Sequence, residues 1–81
     1  MHELSIALSI VDIACEEAEK HGSARVHATH LKLGPLSGVV KESLLSAYEL
    51  ACEGTPLEGS QLVIAEVTGN VLQIAALELE S

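Results

Sequence analysis

Residues 62–79, LVIAEVTGNVLQIAALEL, decide the fold class of this chain. Two aliphatic runs, 62–67 and 71–79, flank Thr68-Gly69-Asn70. Runs of this kind, rich in Val and Ile and bounded by turn residues, read as β-strands. The Gly-Asn pair suits a two-residue type II′ turn, with glycine where positive φ is required, so a tight hairpin is predicted at 67–71. If Thr68 opposes Val71, then Val67 faces Leu72, Ala65 faces Ile74 and Leu62 faces Leu77. That pairing leaves aliphatic residues on both faces of the ribbon. Two helices cover one face, so the other face or an edge is a candidate surface for a homo-oligomer.

Working outward, residues 3–21 place Leu4, Ala7, Leu8, Val11, Ala14, Cys15 and Ala18 at steps of three and four, the period of one helix face. Ile6, Ile10 and Ile13 widen the stripe, while Glu16, Glu17 and Glu19 mark the solvated side. Lys20-His21-Gly22 puts cationic residues in the last turn and a glycine at the stop, so the first helix ends near His21. RVHATHLKL at 25–33 alternates imperfectly, which predicts a strand with a bulge. Gly34-Pro35 closes that strand, and LSGVV leads into a second helix from about Lys41 to Glu53 that carries Leu44, Leu45, Tyr48, Ala51 and Cys52. The predicted order is α-β-α-β-β: an α+β domain with two helices packed on one face of a mixed three-stranded sheet. Residues 1–81 read as one domain.

Composition narrows the function classes. Hydrophobic residues make up 48% of the 81, with one Tyr and no Phe or Trp, so the core is aliphatic. A chain of this length buries roughly 60–65% of its unfolded surface. The net charge of −8, with four scattered Lys and Arg, argues against nucleic acid or an anionic membrane as partner. No apolar run reaches membrane-span length and the start lacks the features of a secretory signal, so a cytoplasmic protein is expected. Cys15 and Cys52 lie apart on helical faces and read as buried, reduced thiols.

The MHELSIA start, the KHGSARV join, LKLGPLSGVV, ESLLSAYELACEGT and EGSQLVIAEV together resemble the N-terminal, nickel-binding domain of the HypA family of hydrogenase-maturation metallochaperones. TGNVLQIAALELE is similar to the family's final strand. The resemblance implies a module with two CxxC pairs, holding a tetrahedral zinc, between the last two strands. This chain has no such pairs. Val67 runs directly into the 67–71 turn, so the zinc module is absent there and no zinc site is expected. Lys41 stands where relatives often carry proline at the first helical position, a change that leaves helix entry intact.

The resemblance directs attention to the first residues as donors for nickel(II), whose N,O sites are often square planar. The Met1 amine, the deprotonated His2 amide and the His2 imidazole Nδ1 close adjoining five- and six-membered chelate rings. The fourth donor is the Glu3 amide, or the Glu3 carboxylate, which alternatively serves as outer support. Glu3 also opposes the positive start of its own helix. His27 and His30 have opposite strand parity and are expected to project to opposite faces in ordinary surface roles. Neither cysteine pairs with a histidine near an oxyanion-binding loop, Glu16-Glu17 reads as a solvated face, and Gly34 and Gly38 do not form a phosphate loop. The chain is expected not to be an enzyme.

Two functions follow. The first is a nickel-binding metallochaperone domain whose partners, by resemblance, are a nickel-loading GTPase and the hydrogenase large subunit, with urease maturation in some relatives. The second is a self-associating interaction domain, natural or engineered, that lacks the zinc module and does not deliver nickel.

Overall fold

The computed structural model describes residues 2–81. Helix Glu3–Lys20 (α1), strand Val26–Leu33 (β1), helix Lys41–Cys52 (α2) and strands Gln61–Glu66 (β2) and Leu72–Leu79 (β3) follow in the predicted order. A single 3-10 turn, Pro35–Ser37, lies between β1 and α2. The fold is α+β, with a three-stranded mixed sheet.

Each element has a local cause. In α1 the buried residues Ala7, Ile10, Val11, Ala14 and Ala18 keep the predicted spacing, and three of them are alanines that let α2 approach closely. Leu4, Leu8 and Ile13 are each about half exposed, so the buried stripe is narrower than the sequence suggests. The helix stops where Gly22 takes φ +68. There the Ser23 N–H donates to the Ala18 carbonyl and the Gly22 N–H to the Glu19 carbonyl, the paired bonds of a glycine-terminated helix.

The predicted hairpin does not form. The strand order is β2-β1-β3, so β1 separates the two strands that the turn was expected to join. β1 pairs with β2 in parallel, from Ala28↔Gln61 to Leu33↔Glu66. It pairs with β3 antiparallel, from Val26↔Leu79 to Leu33↔Leu72. Residues 67–71 therefore cross over the end of β1 from one sheet edge to the other. Hydrogen bonds fix the crossing: the Gly34 N–H donates to the Val71 carbonyl at 2.8 Å and the Leu36 N–H to the Gly69 carbonyl at 2.8 Å. A Cβ on Gly34 would lie 2.3 Å from the Gly69 carbonyl oxygen, so only glycine admits the passing chain.

This topology also changes the faces of the sheet. Leu62 and Ile64 on β2, and Ile74, Leu77 and Leu79 on β3, all pack against the helix-side core. The expected second apolar face is consequently mixed. Its rows contain Ala28, His30 and Lys32 on β1, which pair with Gln61, Val63 and Ala65 on β2. The β3 partners of these same residues are Glu78, Ala76 and Gln73.

At the centre of the core, Leu31, Leu44, Leu57, Val26 and Thr29 are fully buried. The one buried polar residue among them is satisfied: Thr29 Oγ1 lies 2.9 Å from Tyr48 Oη, which lies 2.7 Å from Ser60 Oγ. That chain joins β1, α2 and the approach to β2, and an unpaired hydroxyl at such a depth would be costly.

Candidate metal centre

Two of the expected donors, His2 and Glu3, sit where α1 begins. Met1 lies outside the described residues. His2 is the residue that precedes the helix, with φ −131 and ψ 33, and its carbonyl accepts the Ile6 N–H at 3.0 Å. Its side chain is exposed and makes no capping bond. Histidine is a poor substitute for the Ser, Thr, Asp or Asn that normally fill this place. The imidazole is thus left outward, on a backbone held by the first helical turn.

Glu3 does something that the sequence did not suggest. Its carboxylate reaches the second helix, where Oε2 accepts the Val40 N–H at 3.0 Å. Val40 precedes α2 with an extended backbone and has no side-chain cap of its own. One carboxylate therefore serves the starts of both helices, whose exposed N–H groups carry partial positive charge. The N-terminal amine, then the N–H groups of Val40 and of Glu3 itself, lower the Glu3 carboxyl from 4.5 to about 2. The site keeps its negative charge through the whole neutral and mildly acid range. The sequence signal for this contact was faint: Val40 is a weak capping residue in need of an outside acceptor.

The other histidines lie elsewhere. His21 terminates α1, its N–H shared between the Glu17 and Ala18 carbonyls. His27 and His30, expected on opposite faces, are brought to the same one. The register shift between Val26 and Ala28 is a bulge at His27, which cancels the parity argument. His27 Nε2 lies 3.5 Å from Glu80, and His30 Nε2 is bonded to Glu78. Both pairs tie β1 to the end of the chain.

Cys52 is buried and Cys15 partly so, and neither is in a disulfide. Burial raises both thiols, aided at Cys15 by the negative charge of Asp12. That opposes thiolate formation and metal capture. Among the described residues no three His, Cys, Asp or Glu side chains come together in a group able to hold a metal ion.

The family model for "Hydrogenase/urease nickel incorporation, metallochaperone, hypA" matches residues 1–72. The chain is 58% identical over 67 residues to the hydrogenase maturation factor HypA of Roseiflexus sp. strain RS-1, covering 83% of this chain and 54% of that one. It is 51% identical over 67 residues to the HypA of Chloroflexus aurantiacus strain J-10-fl, covering 83% and 59% respectively. The chain thus spans little more than half the length of these curated relatives. The solution structure of the Ni metallochaperone HypA from Helicobacter pylori has the same fold, with a TM-score of 0.85 and 17% identity over 95% of this chain and 96% of that one. A second solution structure, of a HypA protein, gives 0.80 at 20% identity over 99% and 97%.

Proposed function

Because the chain belongs to the HypA family of hydrogenase/urease nickel-incorporation metallochaperones, we propose that it captures nickel(II) as cargo through Met1, His2 and Glu3 at the start of α1. The observation that carries this reading is the outward imidazole of His2 immediately before the helix. The first N–H groups of a helix have no carbonyl partner within it, so deprotonating the His2 and Glu3 amides breaks no rung of the α1 ladder. Met1 supplies the amine and His2 its amide and Nδ1; the Glu3 amide completes a square of nitrogen donors. The Glu3 carboxylate, engaged with Val40, offsets the positive helix start that would otherwise repel the cation.

Binding and release transform no substrate, so the domain is not an enzyme in this role. Its clients are maturing hydrogenase, through the large subunit, and urease in a related setting, with a nickel-loading GTPase as the partner in transfer. The setting is the cytoplasm; no helix of the described residues is long and apolar enough to cross a membrane. The zinc module of longer relatives belongs at the 67–71 crossover. The family match ends at residue 72, where β3 starts, and a surface crossover can accept an inserted module without disturbing the strands it joins.

Nickel titration of the unmodified chain beside His2→Ala, followed by visible absorption, tests the site. One low-spin, yellow nickel species per chain is expected, lost in the variant while the far-ultraviolet circular dichroism stays the same. Retention of that species in a folded His2→Ala protein would reject His2 as a ligand.

A further inference from the structure

β2 bonds β1 on one side and no described strand on the other. The Val67 N–H donates to the Leu33 carbonyl at 3.0 Å, and the parallel register runs regularly from Ala28↔Gln61 to Leu33↔Glu66. By alternation, Gln61, Val63 and Ala65 turn their main-chain groups toward β1, whereas Leu62, Ile64 and Glu66 turn theirs outward. An open row of this kind is a template for one more strand. On the helix side, Leu45 and Tyr48 of α2 and Leu62 of β2 border a groove of about 520 Å³. Leu45 in that groove is 38% exposed, and Val63, on the opposite face of the sheet, is 39% exposed.

Charge identifies the occupant. Glu42, Glu49 and Glu53, at steps of seven and four, form one exposed acidic stripe along α2, and Glu49 borders the groove. None of the three is in an ion pair among the described residues. Lys41, the one cation of α2, is held by Glu66. The acids near the other sheet edge are already matched: Glu17 pairs with Lys20, Glu78 with His30 and Glu80 with His27. The β2 edge therefore presents uncompensated negative charge beside open main chain and apolar surface. The strands of this chain hold one Lys and no Arg, and that residue, Lys32, lies on the central strand, so a cationic edge partner comes from another protein.

We propose that the outer edge of β2 binds an extended segment of a partner protein in which Lys or Arg alternates with aliphatic residues. The segment pairs with the main chain of Leu62, Ile64 and Glu66. Its basic residues face the helices: their methylene stems lie over Leu45 and Leu62, and their charged heads reach Glu49 and Glu53. Its aliphatic residues extend the opposite face of the sheet beside Val63. Main-chain pairing supplies affinity that is indifferent to sequence, and the acidic stripe selects the cationic partner.

The probe is a peptide of alternating lysine and valine, as long as the six residues of β2, added without nickel so that the result is independent of the metal site. Nuclear magnetic resonance of the backbone amides locates it. The Leu62, Ile64 and Glu66 N–H groups shift and gain protection from hydrogen exchange, while those of β3 stay unchanged. Binding weakens with added salt. In the Glu49→Gln/Glu53→Gln double variant, with unchanged circular dichroism, affinity falls roughly tenfold, the loss of two exposed ion pairs. Two control peptides do not bind: glutamate-valine of the same length, and lysine-valine N-methylated at alternate residues, whose main chain cannot pair. No shift at β2 with the lysine-valine peptide, binding of either control, unaltered affinity in the double variant, or protection of β3 in place of β2 overturns the proposal.

Discussion

At the scale of single residues, Glu3 and Gly34 carry more than their positions in the sequence suggest. Glu3 was legible as an acidic residue in a first helical turn, but its bond to Val40 depends on how α1 and α2 pack, which no local pattern encodes. Its carboxyl, at about 2 in the folded chain against 4.5 ordinarily, binds protons more weakly folded than unfolded. The stability it contributes is present above 4.5 and is lost as pH falls from there through 2. Thermal melts from neutral pH down to 2 are expected to show a shallower acid-side loss in Glu3→Gln than in wild type; parallel profiles would mean that the carboxylate does not tie the helices. Gly34 has an ordinary extended backbone, with φ −95 and ψ 150, so its requirement for glycine is the close approach of Gly69. Gly34→Ala is expected to cost about 1–3 kcal/mol in urea unfolding, the range for forcing an extra methyl into a filled space. An unchanged midpoint would place the crossing elsewhere.

At the scale of elements, periodicity and turn chemistry located both helices and all three strands, because each has a local cause in side-chain spacing or a glycine stop. Pairing was not local. Gly69-Asn70 resembles the loop of a hairpin, and two adjacent aliphatic runs encouraged that reading. Yet β1, α2 and β2 form a strand-helix-strand unit, which brings two parallel strands side by side. Once β2 has taken one side of β1, β3 finds its partner on the other side, and the turn becomes a crossover. The same oversight produced the expected second apolar face. With β1 central, most aliphatic residues of both outer strands face the helices, and the opposite face is left with His30, Lys32, Gln73 and Glu78 beside Ala28, Val63, Ala65 and Ala76. The histidine parity argument failed for a related reason: a bulge was foreseen in this strand, but its place at His27 is set by pairing with β3.

At the scale of the whole molecule, the fold holds an outward histidine at the head of α1 and keeps a carboxylate that is ionised at neutral pH beside it, on a chain of net charge −8 that attracts cations. The part of the proposed site that was legible in sequence is the Met-His-Glu order itself, since a chelate of terminal amine, amides and imidazole is written in three consecutive residues. The part that was not legible is the second helix that holds Glu3. The central claim is that the chain end is a ligand, and it predicts a dependence on the terminal amine that no side-chain site shares. A one-residue extension would be a poor test, because a histidine in third place still gathers an amine, two amides and its imidazole around one ion. Acetylation of the Met1 amine removes that donor and adds no residue. Calorimetric titration of nickel(II) into the unmodified and Nα-acetylated chains, under matched buffer and pH, is the most direct measurement. The account predicts one nickel per unmodified chain and an affinity on the order of a hundredfold weaker, about 2.7 kcal/mol, after acetylation; equal affinity for the two chains would contradict it.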